Sequence, residues 1–315
     1  MTARCSAKGA SIMENGELIP LEDLVYATDL EKAYGITEEL HRFYSDQQRR
    51  LARFDEMPQA SFDEKRMRLI ERSRAFLAEH GFDPTAQNNI FEAVRVDFVH
   101  STTAIEGNTL SAGDVALVLS EGALIPGKPE RDRAEVADAA CAFDAMVRAV
   151  KADRALDVDL ICELHAIIAA HLPDCEPGEL RWDQRYVVGA ATYPPPPRMA
   201  KPLLENLVAR YASEPSLENA VAFHLVFEDI HPFQDGNGRL GRLLLNFMLM
   251  ELGYPAIALK ADRDAVRRYH RIAGGFANSA EERDASRMME LVCASLEASL
   301  SRLVLFYQQK DEAGR

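Results

Sequence analysis

The sequence has few cysteines, fewer basic than acidic residues, and no long apolar run. Its five cysteines are odd in number and form neither a CxxC pair nor a cysteine–histidine ligand spacing, so we expect reduced thiols. No stretch approaches the roughly 18 apolar residues of a membrane span, and the N-terminus lacks the pattern of a secretion signal. These absences favour a cytoplasmic protein with no membrane partner.

The charge balance is acidic. Lys and Arg together number 36, Asp and Glu number 50, and the formal net charge is -14. Nonspecific nucleic-acid binding depends on Lys and Arg that neutralise phosphates, so this balance argues against DNA or RNA as a partner. A local basic patch can still bind a nucleotide. The 315 residues, 47% of them hydrophobic, suffice for a core without disulfides or structural metals.

Helical periodicity dominates the sequence, apart from its beginning and one later segment. Residues 1–35 show little periodicity, and we expect a loosely ordered arm there. The spacing of apolar and charged residues predicts helices at 36–57, 62–80, 88–107, 111 onward, 131–151, 157–172, 216–230, 239–252 and from 262 onward. Segment 180–197 instead predicts a short β-hairpin, because Tyr186, Val187 and Val188 precede Gly189 and four prolines follow.

Residues 231–242, H-P-F-Q-D-G-N-G-R-L-G-R, join two of the predicted helices. Gly236 and Gly238 allow a tight turn and a close approach to a ligand, and the N-terminus of the next helix offers unpaired N–H groups. Arg239 and Arg242 are three residues apart, so both can reach phosphate oxygens. The segment therefore predicts an anion site suited to phosphates.

Two further residues of this segment could supply chemistry at such a site. Asp235 is a single carboxylate, and one carboxylate together with substrate phosphates is a common way to hold Mg²⁺. His231 can accept a proton from an attacking hydroxyl at neutral pH. Taken singly, each feature has an ordinary explanation: the D-G-N-G segment is typical of a turn, a lone histidine is often structural, and a pair of arginines often solvates a helix end. Their combination in one short segment predicts a nucleotide site.

The same segment matches the signature of the Fic family, HxFx(D/E)GNGRxxR, at every specified position. The resemblance extends from about residue 96 to 304 and implies a mainly α fold: a Fic-type helical bundle at 96–315 with a small β-hairpin flap at about 178–197. An N-terminal helical region of unknown role would occupy 1–95. The implied activity is that of a protein adenylyltransferase, which moves AMP from ATP, with Mg²⁺, to a Ser, Thr or Tyr hydroxyl of a target protein.

The resemblance also implies roles for single residues. His231 would be the general base, Asp235 the Mg²⁺ ligand and Arg242 the γ-phosphate ligand. The anion hole would comprise Gly236, Asn237 and Gly238, with Arg239 helping to hold phosphate. Outside the signature, the resemblance implies that Tyr269 contacts the adenine base. Relatives often have a Tyr–Tyr pair near this position, where this chain has Arg268-Tyr269-His270. The flap residues implied to contact the target protein are Tyr186, Val187, Val188 and Gly189. His165 is interpreted as a satisfied core histidine.

Residues 102–107, T-T-A-I-E-G, resemble the Fic inhibitory motif (S/T)xxxE(G/N), on a helix at about 96–108. By that match Glu106 would pair with Arg242 and block the γ-phosphate position. A charge-assisted bond of roughly 1.5–3 kcal/mol changes a population about ten- to 150-fold. A near-complete switch needs about 5.5 kcal/mol, so we expect a partner or a homodimer to contribute the rest.

Several alternatives stay open on the sequence alone. The protein could also remove AMP from modified targets, or transfer UMP, phosphocholine or phosphate instead of AMP. It could be a non-enzymatic module that binds nucleotide and regulates a partner, or one whose N-terminal region recognises DNA or an antitoxin-like protein. The presence of both His231 and Asp235 disfavours a non-enzymatic module, and the acidic balance disfavours DNA.

Overall fold

The computed structural model describes residues 11–14, 17–20, 51, 53–54, 56–86, 89–173, 175–183, 194–278 and 283–313. The contacts divide the chain into two compact units, 1–56 and 57–315. In the first unit, strands β1 (Ser11–Glu14) and β2 (Glu17–Pro20) pair antiparallel, with Ser11 opposite Pro20. For residues 11–14 and 17–20 this pairing corrects the loose arm expected at 1–35, because strands of four residues are too short for a clear alternating pattern. The rest of that arm lies outside the described residues. Most of the helix predicted at 36–57 lies outside the described residues.

The described part of the second unit contains ten helices, which confirms the mainly α fold. They are α1 (Glu64–Glu79), α2 (Asn89–Ile105), α3 (Ala112–Glu121), α4 (Glu130–Lys151), α5 (Val158–Ile168), α6 (Pro197–Ser213), α7 (Leu217–Ile230), α8 (Asn237–Glu251), α9 (Arg263–Asn278) and α10 (Ser286–Ala313). None of the described helices has the length and apolarity needed to span a membrane. The core of the predicted flap hairpin, residues 184–193, lies outside the described residues.

Several helix starts follow directly from local sequence. The Ser111 side chain accepts a hydrogen bond from Asp114 N, and Asp114 in turn accepts one from Ser111 N, which forms the predicted capping box at the start of α3. Asp157 accepts from Leu160 N at the start of α5. That helix ends at Ile168, four residues before the predicted end at 172.

Helix α6 is absent from the sequence-based predictions. Its interior contains Pro202, a residue that ordinarily signals the end of a helix, and a run of prolines precedes it. Pro197 occupies the first turn, where a backbone N–H would have no acceptor within the helix, so its absence in proline costs no hydrogen bond. The side chains that α6 buries are Ala200, Leu203, Leu204, Leu207 and Tyr211. Burial of this apolar face against the bundle outweighs the local cost of Pro202.

Helix α1 belongs to the same compact unit as the helices that follow residue 96, whereas the sequence analysis places a boundary at 95. The Arg66 guanidinium donates to both carboxylate oxygens of Glu297 on α10, at 2.7 and 2.8 Å. Ile70 and Leu77 of α1 are buried. The first turn of α1 is therefore tied to the C-terminal helix by a bidentate ion pair.

Helices α7 and α8 form the centre of the bundle, and residues 231–236 connect them. Every α8 residue from Leu240 to Met250 is buried. The two helices approach closely at Gly241, where an added Cβ would lie 3.0 Å from Glu228 Oε1 and 3.2 Å from Phe227 Cδ1. The connection that carries the signature is thus held at both ends by buried, tightly packed helices.

We expect Gly241→Ala to destabilise the protein by about 1–3 kcal/mol, because the added methyl group overpacks the contact between α7 and α8. Thermal and denaturant unfolding measure this effect. Gly275→Ala is the matched control: Gly275 also lies inside a helix, but its added Cβ would meet nothing within 4 Å. The control should be neutral or slightly stabilising, and equal losses in both variants would contradict the packing argument.

Candidate functional site

His231 lies at the C-terminal end of α7 in the left-handed conformation, with φ 51° and ψ 59°. Its backbone N–H donates to Phe227 O at 3.0 Å, which closes the helix. Its Nδ1 lies 3.3 Å from Glu228 O. A carbonyl oxygen only accepts, so Nδ1 carries the proton and Nε2 keeps its lone pair.

Burial lowers the pKa of His231 to about 4. Arg181 lowers this pKa further, whereas the Glu228 carbonyl, Asp235 and Glu106 raise it. The imidazole is therefore neutral near pH 7. A neutral imidazole with an open Nε2 is the form that can accept a proton.

Asn237 holds the loop in shape from inside. Its Oδ1 accepts from Phe233 N and its Nδ2 donates to Phe233 O, both at 2.9 Å. Gly236 has φ 79°, a left-handed conformation that glycine adopts without steric cost. The Asn237 side chain is thus used to fix the turn, which leaves the backbone at the start of α8 to face an anion.

His165 of α5 supports the loop at residues 231–236, a role that could not be predicted from the sequence. Its Nδ1 accepts from Gly178 N at 2.9 Å, so its Nε2 carries the proton and donates to Asp235 O at 3.0 Å. Its ring stacks on Phe233 with centroids 3.7 Å apart. Burial lowers the pKa of His165 to about 4, which keeps this pattern at neutral pH. The only sequence signal was the Leu164-His165 pair.

The two signature arginines are both buried, but their surroundings differ. Arg242 donates from Nε to Thr102 Oγ1 at 3.0 Å and from Nη1 to Tyr269 OH at 3.2 Å. Arg239 lies 3.4 Å from Asp235 Oδ1 and 3.8 Å from Glu135 Oε2, and its buried Nε has no partner in the described part of the chain. The unpartnered Nε is itself buried, so Arg239 contributes positive charge near the start of α8 rather than a free donor.

Glu106 directly follows α2 and forms an ion pair with Arg242, with Oε1 2.7 Å from Nη2. Burial by itself would raise the pKa of Glu106, but the charge of Arg242 outweighs it and the pKa lies below its usual value. A Cβ added at Gly238 would overlap the Glu106 carboxylate. The carboxylate thus lies over the N-terminal turn of α8, where an anion would bind.

Tyr269 of α9 links Arg242 to a second carboxylate. Its buried hydroxyl accepts from Arg242 Nη1, lies 3.0 Å from His224 Nε2, and donates to Glu228 Oε1 at 3.3 Å. Burial raises the pKa of Glu228 to about 7. Its side chain is therefore partly protonated at neutral pH, beside the Glu106–Arg242 pair.

Glu228→Gln should stabilise the protein more at pH 8 than at pH 5. The folded pKa of about 7 lies above the ordinary value of 4.5, so folded Glu228 retains a proton that the unfolded chain releases. The wild-type protein consequently loses stability as pH rises through this interval, and glutamine removes that loss. Melting temperatures of both proteins at pH 5 and pH 8 measure this difference in stability. Glu121→Gln, at an exposed position at the end of α3, is the control. Equal shifts at pH 5 and pH 8 would refute the assignment.

The signature loop, Glu106 and α9 surround a cavity of about 400 Å³. Its lining includes Tyr269 and seven of the residues predicted for catalysis, phosphate or metal binding and inhibition: Glu106, His231, Asp235, Gly236, Asn237, Gly238 and Arg242. Arg239 lies behind the lining. The predicted target contacts Tyr186, Val187, Val188 and Gly189 lie outside the described residues.

Asp235 fits a role in holding Mg²⁺ together with phosphates. Its side chain is 49% exposed. Gly236 N and Arg239 both donate to Oδ1, which leaves Oδ2 available to a cation. The described residues contain no group of three His, Cys, Asp or Glu that could hold a metal ion alone. A single carboxylate suits Mg²⁺, which keeps much of its water shell.

Comparison with known proteins agrees with the signature. Residues 155–249 match the Fic/DOC family model. Protein adenylyltransferase fic-1 of Caenorhabditis briggsae is 33% identical over 213 residues, which cover 65% of this chain and 41% of fic-1. The chain thus spans less than half the length of this relative.

Solved structures show the same fold. A Fic domain-containing signaling protein from Bacteroides thetaiotaomicron aligns with a TM-score of 0.67 and 22% identity, covering 78% of this chain and 97% of that one. Fic-1 from Caenorhabditis elegans aligns with a TM-score of 0.63 and 24% identity, covering 87% of this chain and 79% of that one. The family match and these structures together show that residues 155–249 are similar to the Fic/DOC family and that the chain has a Fic-type fold.

Proposed function

We propose that this protein is an adenylyltransferase that moves AMP from ATP onto a Ser, Thr or Tyr hydroxyl of a target protein. The observation that carries the proposal is the convergence of a neutral His231, the start of α8 and the Arg242 guanidinium on one cavity. A relative of similar sequence is named a protein adenylyltransferase, which supports the same activity.

The phosphates of ATP would lie on the N-terminal turn of α8. Backbone N–H groups at the start of this helix and its dipole favour an anion, and Arg242 and Arg239 add positive charge. Asp235 would hold Mg²⁺ through Oδ2, and the bound ion would neutralise phosphate charge. The cavity surface formed by Ala273, Gly274 and Ala277 of α9 leaves room for the nucleoside.

The transfer needs one proton acceptor and one leaving group. His231 Nε2 takes the proton from the target hydroxyl as its oxygen attacks the α-phosphorus. A new oxygen–phosphorus bond forms, and the bond from the α-phosphorus to the bridging oxygen breaks, which releases pyrophosphate. Arg239, Arg242 and the α8 N-terminus stabilise the charge that develops on the phosphate oxygens.

Glu106 would inhibit this reaction. Its carboxylate already pairs with Arg242 over Gly238, so a γ-phosphate and Glu106 compete for the same guanidinium. A charge-assisted bond of roughly 1.5–3 kcal/mol restrains activity without abolishing it. Binding of a partner, or formation of a homodimer, would supply any stronger control.

Intact-protein mass spectrometry tests the activity. Wild type, Glu106→Gly and Glu106→Gly/His231→Ala are incubated with Mg²⁺ and ATP, with UTP and CTP in parallel. We expect an AMP-sized mass gain on Glu106→Gly alone, and only with ATP. A mass gain with UTP or CTP instead would assign another nucleotide, and the absence of any mass gain on Glu106→Gly with all three nucleotides would refute nucleotidyl transfer.

A further inference from the structure

Arg181 is a buried residue between α5 and α6, and its exposed fraction is only 2%. Its Nε donates to His231 O at 2.7 Å, and its backbone N–H donates to Pro232 O at 2.9 Å. Its Nη2 lies 3.4 Å from Ile230 O and also donates to Pro195 O. One guanidinium therefore bridges the end of α7, the first residue of the signature and the segment before α6.

The end of α7 has a particular need for such a donor. The last carbonyl groups of a helix lack partners within the helix and form the negative end of its dipole. His231 follows in a left-handed conformation that is uncommon for a residue other than glycine. Arg181 binds the carbonyl oxygens on both sides of this turn, those of Ile230 and His231. A planar guanidinium can satisfy these diverging acceptors together, whereas a lysine ammonium would hold fewer of them in fixed directions.

We propose that Arg181 is a positioning residue that keeps the His231 backbone in its left-handed conformation and thereby aims the imidazole Nε2 into the cavity. Its kinetic consequence rests on the adenylyltransferase function proposed above. The structural claim does not, because it concerns the conformation of His231 in the absence of any substrate.

Loss of Arg181 would change His231 in two ways. The His231 carbonyl would lose its donor and the turn could relax, which would move the ring; a misplacement of about 1 Å can cost roughly 100-fold in rate. The imidazole would also lose a nearby positive charge. The other charged groups that act on it are Asp235 and Glu106, and both raise its pKa, so removal of Arg181 should raise the pKa of His231.

The first test needs no catalysis. The protein is labelled with ¹³C on histidine, and His231 is titrated by NMR in wild type, Arg181→Lys and Arg181→Gln, with His231→Ala to assign its signal. We expect the pKa of His231 to rise in Arg181→Gln, and the ring resonances to shift in both variants. Arg210→Gln on α6 is the matched control, because Arg210 donates to Asn206 within its own helix. Unchanged resonances and pKa in folded Arg181→Lys and Arg181→Gln would overturn the proposal.

The second test separates binding from transfer in the Glu106→Gly background. Affinity for a non-hydrolysable ATP analogue should change less than about threefold, whereas AMP transfer should fall about 100-fold in Arg181→Gln and less in Arg181→Lys. Added guanidinium should partly restore transfer to Arg181→Ala. Equal losses of affinity and transfer without rescue would make Arg181 merely structural. If Glu106→Gly itself transfers nothing, the proposed function fails, and the NMR titration still decides the role of Arg181.

Discussion

His231→Ala is expected to reduce AMP transfer by about 10²–10⁴-fold while ATP affinity changes little. The variant removes the neutral imidazole whose Nε2 is open, but it leaves the Arg242 guanidinium, Asp235 and the start of α8 in place. The α7 end should persist, because the bond from residue 231 N to Phe227 O belongs to the backbone. Single-turnover transfer and calorimetric ATP titration, both in the Glu106→Gly background, measure the two quantities separately.

His171→Ala is the control for this experiment. His171 pairs with Asp138 at 2.9 Å, and its side chain is 65% exposed and is not part of the cavity lining. This variant should transfer AMP at the rate of its parent. If His231→Ala lost ATP affinity as strongly as it lost transfer, His231 would be a structural residue of the loop rather than the base.

Glu106→Gly is expected to raise ATP affinity and AMP transfer by about ten- to 150-fold. The substitution removes the carboxylate that pairs with Arg242 at 2.7 Å and covers Gly238, so the guanidinium becomes available to the γ-phosphate. Thr102 and Tyr269 should continue to hold Arg242, since both accept hydrogen bonds from its guanidinium independently of Glu106. Calorimetry with ATP and Mg²⁺, together with the rate of self-modification, measures the gain.

Glu121→Gly is the matched control, because Glu121 is also a glutamate at the end of a helix but lies outside the cavity lining. It should bind ATP as the wild type does. Glu106→Gln adds a second comparison: it keeps the side-chain length, loses the charge and should give an intermediate gain. Wild-type affinity and activity in both Glu106 variants would refute the inhibitory role.

Much of the fold and of the site could be predicted from local sequence. The capping box of Ser111 and Asp114 starts α3, and the apolar run of α8 marks a buried helix. The signature at 231–242 identified the loop, because glycines, arginines and a carboxylate at this spacing are recognisable without knowledge of the surroundings. The proposed roles of these residues remain predictions for the experiments above.

Other features escaped the sequence analysis because distant residues determine them. Helix α6 contains Pro202 and forms through burial of Leu203, Leu204 and Leu207 against the bundle. His165 and Arg181 lie 70 and 50 residues before the loop atoms that they bind, Asp235 O and His231 O. Periodicity and motif spacing describe neighbours along the chain, so neither could relate these side chains to the loop.

The sequence by itself determined that this chain forms helices and predicted a phosphate site at residues 231–242, because helix propensity, capping and the glycine turn act over a few residues. Only the tertiary structure decided which distant side chains support that segment. It placed Arg181 on the His231 carbonyl and His165 on the Asp235 carbonyl, and it kept His231 neutral by burial. Pairing and desolvation depend on what folding brings together, so they follow from the packed bundle rather than from any short segment.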